Sequence, residues 1–209
     1  VFLDTVEKLK PKIVVAENVT GLIKGNAKGY VNEIVKRFRE LGYDVQIFKL
    51  NAALMNVPQT RERVFFIANN QDYPKLKLNF NGEPILFRQV RTEKGEPIRG
   101  EKTKNRLDKM QRGDMCIADI VRRTENGREV CFNTKIIWDD KVCLTITANG
   151  TFIRAYDKNA FSEDDYRNVS SFPQDYDFMN QSAHYVGGMS VPPNMMANIA
   201  TEIYNQWLK

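Results

Sequence analysis

The sequence predicts an α/β fold, and three observations carry the prediction. Ile13-Val14-Val15-Ala16 is a short apolar run, the pattern of a parallel strand buried on both faces. Residues 28 to 41 set Val31, Ile34, Val35, Phe38 and Leu41 on one helical face, with Gly42 as the stop signal. Asp44 to Leu50 and Val64 to Ala68 then read as two more strands. Strand, helix, strand, loop, strand is the grammar of an α/β domain.

The remaining elements follow in chain order. Phe2, Leu3, Val6 and Leu9 form an apolar helical face that ends at Pro11. The chain opens on Val1 with that face already under way, so it reads as a fragment of a longer protein, entered partway along a helix. After Asn70 the texture becomes polar, with Pro74, Pro84 and Pro97 and several glycines. Between Arg88 and Arg112 lie nine Lys/Arg and four acids, a local excess equal to the +5 of the whole chain. Residues 131 to 137 and 142 to 147 are β-like, and Val142, Leu144 and Ile146 alternate as in a half-buried strand. Residues 79 to 178 therefore read as a small β-rich region inserted after the α/β part. Pro192-Pro193 opens a last helix, where a missing N–H costs little. Met196, Ile199, Ala200, Ile203 and Trp207 line its predicted face.

Composition narrows the function. Three cysteines without CxxC spacing argue against a disulfide framework or a zinc site, and a single histidine, His184, nearly removes triad and multi-histidine metal chemistry. No metal site is expected. No signal peptide or apolar run long enough for a membrane span is present, so the expected setting is a reducing cytoplasm. The mild basic excess is compatible with a polyanion partner.

Four places could carry chemistry. Glu17-Asn18-Val19 follows the first strand directly, and ligands of open α/β sheets bind at that edge. A partly desolvated carboxyl there can donate a proton; the alternative is a solvated turn residue. In Pro58-Gln59-Thr60-Arg61-Glu62-Arg63, the arginines are two apart and would point the same way in an extended chain. Two converging guanidiniums suit a phosphate or a base carbonyl; the alternative is a solvated pair balanced by Glu62. Ser171-Phe172-Pro173-Gln174-Asp175-Tyr176-Asp177-Phe178 is the third; the alternative is that its Phe and Tyr residues are core. Gly187-Gly188-Met189-Ser190-Val191-Pro192-Pro193 gives a glycine-containing helix entrance whose amides could hold a ligand, or only a turn.

The order of these motifs is more specific than any one of them. Glu-Asn-Val, Pro-Gln-x-Arg-x-Arg, a basic insert, Thr145-Ile146-Thr147-Ala148, Ser-Phe-Pro-x-Asp-Tyr and Gly-x-Ser-Val-Pro-Pro together resemble the DNA cytosine-5 methyltransferase family, from about residue 10 to the end. The resemblance implies the carboxyl-terminal portion of a Rossmann-like domain dependent on S-adenosylmethionine, residues 1–78, with an inserted target-recognition domain, 79–178. A closing segment, 179–209, would return to the catalytic domain. In that family a cysteine thiolate attacks carbon 6 of a cytosine flipped out of duplex DNA, and carbon 5 takes the methyl group.

The resemblance also assigns roles. Glu17 would hydrogen-bond the cytosine at ring nitrogen 3 and the amino group, and Arg63 its carbonyl. Arg61 would position the catalytic loop or a phosphate. Asn18 and Gln59 would support substrate binding, and Gly188, Ser190 and Val191 would line the cofactor pocket. Two departures are visible. The family's glycine-rich cofactor loop and Pro-Cys-Gln loop are absent, so the cofactor site is incomplete and the isolated chain is expected to be inactive without the missing amino-terminal part or a complementary subunit. Met189 stands where the family usually has asparagine. Cys116, Cys131 and Cys143 read as small structural hydrophobes. A restriction-modification role is expected. The rival reading is a non-catalytic DNA-binding module or the subunit of a split enzyme. Arg88, Arg91, Arg99, Arg106, Arg112, Arg122 and Arg123 are all candidates for contacts to DNA, with nothing in the spacing to choose among them.

Overall fold

A computed structural model describes residues 1–125 and 133–209. Cys131 and the start of the strand expected at 131–137 lie outside the described residues. The chain divides into two compact units. The first comprises Val1–Asn51, Glu62–Phe80 and Ala197–Lys209; the second comprises Ala52–Arg61 and Asn81–Met196. These units are cut differently from the functional division drawn at 78/79 and 178/179. Gln59, Thr60 and Arg61 go with the second unit because they hydrogen-bond to Val169, to residues 143–146 and to 188–190.

The first unit is α/β. It holds α1 (Phe2–Leu9), β1 (Ile13–Val19), α2 (Lys28–Glu40), β2 (Asp44–Asn51) and β3 (Glu62–Asn69). The sheet order is β1-β3-β2, and β3 runs antiparallel to both neighbours. β1 and β2 therefore point the same way, joined by α2, with β3 returning between them. β1 was expected to be a parallel strand buried on both faces. Its described partner is antiparallel, and only Val14 along it is buried. β1 is an edge of this sheet, so a continuous apolar run does not report burial here. The fully buried run is Val64-Phe65-Phe66-Ile67-Ala68 on the central strand.

The register sorts the two faces. Val14 and Ala16 of β1 lie with Val64, Phe66 and Ala68 of β3, and Val6 of α1 and Phe38 of α2 complete that core. On the other face Gln46 of β2 exchanges two hydrogen bonds with the backbone of Leu76. The arm at 70–80 is pinned in turn by Trp207, whose Nε1 donates to the Pro74 carbonyl and whose ring stacks on Tyr73.

The second unit contains α3 (Glu101–Leu107), α4 (Ile117–Thr124), β4 (Thr134–Ile137), β5 (Thr151–Arg154), α5 (Glu163–Val169) and α6 (Ala183–Met189). The expectation of a β-rich region is corrected. Its one described sheet is a pair of four-residue parallel strands, β4 and β5, beside four short helices. Residues 142–147 form no ladder beyond one bridge between Cys143 and Gln59. Cys143 and Ile146 point inward, not the alternating set, because the 57–61 segment supplies their hydrogen bonds: Thr60 N donates to the Cys143 carbonyl and Ile146 N to Gln59 Oε1. Two apolar clusters support the unit, one around Phe87, Phe152, Phe161 and Tyr166, the other around Leu107, Ile120, Ile136 and Ile153. Arg154 and Asp165, both fully buried, form an ion pair within it.

The last helix, α7 (Pro193–Ile203), starts at the second proline as expected. Its buried residues are Met195, Ile199 and Ile203, with Trp207 beyond it, while Ala200 is exposed. The true face is thus a strict i, i+4 line starting one residue before Met196. Among the described residues no helix is long and apolar enough to cross a membrane.

Candidate active site

Glu17 lies inside β1, two residues before its end, and its partner across the ladder is Phe65. Arg63, opposite Val19, falls on the same face of the sheet. Side chains on one sheet face meet across neighbouring strands, and Arg63 Nε donates to Glu17 Oε1 at 2.7 Å. Glu17 keeps 30% of its side-chain surface exposed and Arg63 14%. The arginine also donates to the Glu62 carbonyl, which fixes its fork. Asn18 turns its Oδ1 back to accept the Val19 amide at 2.8 Å. A cleft of about 360 Å³ runs along this part of β1, lined largely by Leu3, Leu22, Ile34, Phe38 and Phe66, with Glu17 and Asn18 on its wall. A half-exposed carboxylate held by a guanidinium can present hydrogen-bonding groups of both kinds to a ligand.

Arg61 and Arg63 do not converge on one spot. Arg61, 1% exposed, donates to the carbonyls of Ile146, Gly188 and Ser190, each at 2.8 Å. Gln59, also buried, donates to the Val169 carbonyl and accepts from Ile146 N. The two side chains thus tie three separate stretches of the second unit to the 57–61 segment. Sequence spacing could not show this, because a backbone carbonyl leaves no mark in the residue type it belongs to.

The glycine pair expected at a helix entrance sits elsewhere. Gly187 and Gly188 belong to the end of α6, and Ser190 and Val191 form the link before α7. A Cβ on Gly188 would come within 2.6 Å of the Ala148 Cα, so the glycine is required by close approach of two backbones. Among the described residues the buried Ser190 hydroxyl has no hydrogen-bond partner, while Met189 is 66% exposed.

Neither described cysteine resembles an activated nucleophile. Cys143 is fully buried, which pushes its thiol well above the ordinary range, and the nearby Asp165 charge acts in the same direction. Cys116 is buried at the start of α4, its Sγ turned to Asp119. His184 is likewise committed, stacked on Tyr166 with Nε2 against the Thr147 carbonyl. Sequence reasoning gave Thr145 no role beyond its place in the Thr-Ile-Thr-Ala motif, where its hydroxyl donates to the Thr60 carbonyl, and it missed the buried Arg154–Asp165 pair. The only signal for Asp165 was its place three residues after Ser162, the spacing of a capping box.

A family model described as C-5 cytosine-specific DNA methylase matches residues 1–205. The type II methyltransferase M.NgoFVII of Neisseria gonorrhoeae is 26% identical, over 97% of this chain and 61% of that protein. M.DdeI of Desulfomicrobium norvegicum is 41% identical over 76 residues, 35% of this chain and 18% of its own length. The chain therefore spans about three fifths of the gonococcal relative. A crystal structure described as a DNA modification methyltransferase encoded within an Escherichia coli prophage aligns with a TM-score of 0.70 at 17% identity, covering 100% of this chain and 73% of that one. The Dnmt2 methyltransferase of S. pombe aligns with a TM-score of 0.62 at 14% identity, covering 97% and 71%. These structural likenesses speak for the fold; the family model, spanning nearly the whole sequence, makes this chain a member of the C-5 cytosine-specific DNA methylase family.

Proposed function

We propose that the chain carries the cytosine-holding part of a DNA cytosine-5 methyltransferase of the restriction-modification type, corresponding to the carboxyl-terminal portion of such enzymes. Residues 79–178 would recognise duplex DNA. The observation that carries this reading is the Glu17–Arg63 pair on β1 and β3. Glu17 would meet ring nitrogen 3 and the amino group of a flipped cytosine, and Arg63 its carbonyl oxygen. When a thiolate forms its bond to carbon 6, the displaced electron pair moves towards nitrogen 3, where the hydrogen bond with Glu17 would stabilise the ring as it takes up a proton. Carbon 5 is thereby left nucleophilic. Arg61 and Gln59 act as positioning residues, fixing the backbone that bears Thr145 to Ala148 and Ser190.

The family uses S-adenosylmethionine, which supplies the methyl group. Ser190 fits a place at its edge through the unpartnered buried hydroxyl, with Val191 beside it. Gly188 serves this segment by packing and by offering its carbonyl to Arg61. The nucleophile would come from a polypeptide that carries the Pro-Cys-Gln loop, since Cys116 and Cys143 are both engaged in packing.

The test is Glu17→Gln in an enzyme reassembled from this chain and that polypeptide. Labelled-methyl transfer to duplex DNA is expected to fall by about 10²-fold or more, with duplex binding near normal. Unchanged turnover would mean that Glu17 has no acid role and would favour the DNA-binding module.

A further inference from the structure

We infer that, of the seven candidate arginines above, Arg88 and Arg99 are those that grip the phosphates of duplex DNA, and that the other five are structural. The inference rests on the DNA-binding reading above and deepens it.

The structure separates seven residues that the sequence could not. Arg91 holds Asp139 with Nε and lies 4.2 Å from the Tyr156 ring centroid. Arg106, nearly buried, makes a two-pronged pair with Glu125. Arg112 is paired with Asp140 and packed over Trp138. Arg122 is paired with Asp119, and Arg123 grips both oxygens of Asp114. Arg88 and Arg99 are exposed, and no side-chain hydrogen bond or ion pair engages either one among the described residues.

Pairing decides who can bind a phosphate. To an approaching anion, an arginine beside a carboxylate is a dipole with no net charge. Binding there must displace the carboxylate and leave it facing the phosphate. An uncommitted guanidinium neutralises a phosphate and releases its counterion without that cost. Position adds a second argument. Arg88 follows Phe87, which is fully buried, and the amides of both residues donate to the carbonyls of Lys141 and Asp139. Arg99 follows Ile98, which packs on the Leu107 cluster, and precedes Gly100, the residue that opens α3. Each free guanidinium is thus presented from a fixed backbone, which is what a register-setting contact needs. Lys94, Lys109 and Lys141 are exposed as well. As point charges on flexible stems they add attraction more than register.

The experiment is fluorescence anisotropy of the full 209-residue chain with a mixed-sequence duplex between about 50 and 200 mM salt, the range in which counterion release is read. Arg88→Ala and Arg99→Ala are each expected to lower affinity by roughly tenfold at 0.1 M salt and to reduce the log–log salt slope by about 0.9, the double variant by about 1.8. Arg88→Lys should keep the wild-type slope, because charge, not fork geometry, sets counterion release. Arg112→Ala should also keep it. All four single variants and the double should melt within a few degrees of wild type. A double variant with the wild-type slope, or an Arg112→Ala slope reduced as much as that of Arg88→Ala, overturns the assignment while leaving DNA binding in place. A wild-type chain with no salt-dependent duplex affinity overturns the DNA reading and this inference together.

Discussion

Arg61 and Arg63 stand two positions apart in sequence and end in different surroundings. One is spent on three carbonyls, the other on a carboxylate next to a cleft. The sequence made Glu17 and Arg63 legible because both residue types carry their chemistry in the side chain and sit in short motifs at strand positions. It left Arg61 ambiguous, because its acceptors are backbone groups more than 80 residues away in the chain. Gly188 was read as a ligand-facing glycine, whereas its lack of a side chain is used to let α6 approach Ala148. That contact gives a sharp expectation. Gly188→Ala would drive a Cβ into the backbone of residues 147–148, which cannot swing away as a side-chain tip could. A loss of about 1–3 kcal/mol is expected from such overpacking, measured by urea unfolding. A variant as stable as wild type would mean that the two backbones part at little cost.

At the scale of elements, the long helix and strands of the first unit were visible because their apolar periodicity is set by one dominant core. The short helices of the second unit were not. α3 shows mostly charged residues, and one of its two buried side chains is Arg106, so its pattern read as a charge run. α5 did carry a signal, since Ser162 accepts the Asp165 amide and Asp165 returns a bond to the Ser162 amide. α4 is held by carboxylates. Asp119 receives the amides of Met115 and Cys116, and Asp114 receives Arg123 and the Gln111 amide. The Arg123 hydrogen bond, against the opposing effect of burial, holds the Asp114 carboxyl below its usual range. A depressed carboxylate stabilises the fold fully above its unfolded value near 3.9 and loses that contribution as pH falls through the lower folded value. Asp114→Asn is therefore expected to cost on the order of 1–2 kcal/mol at pH 7. Its deficit against wild type should shrink below about pH 4. Urea titrations at pH 7, 5 and 3 would check this, and a deficit that stays constant down to pH 3 would remove the carboxylate from the account.

At the scale of the whole molecule, the proposed methyl transfer asks for a nucleophile as well as a scaffold. Each unit has its own apolar core, so each has the means to be a stable scaffold. Within them the chain offers a carboxylate–guanidinium pair on one sheet face, groups that fix backbone, and uncommitted cations. A covalent attack needs a thiolate, and thiolates form where positive charge and access lower the thiol's affinity for its proton. Cys143 has the opposite surroundings, fully buried and near an aspartate. Cys116 is buried, and its Sγ faces Asp119, whose carboxylate also takes up the Cys116 amide. The chain alone is therefore expected to bind duplex DNA without methylating it. With labelled S-adenosylmethionine and cytosine-containing duplex, no counts above background should enter the DNA. With 5-fluorocytosine in the duplex, no covalent adduct should survive a denaturing gel. Addition of a polypeptide bearing the cysteine loop should restore both signals, and Glu17→Gln should abolish most of the first. Turnover by the unaided chain would place a working nucleophile among its own cysteines. Serine substitution at 116, 131 and 143 in turn would then identify it.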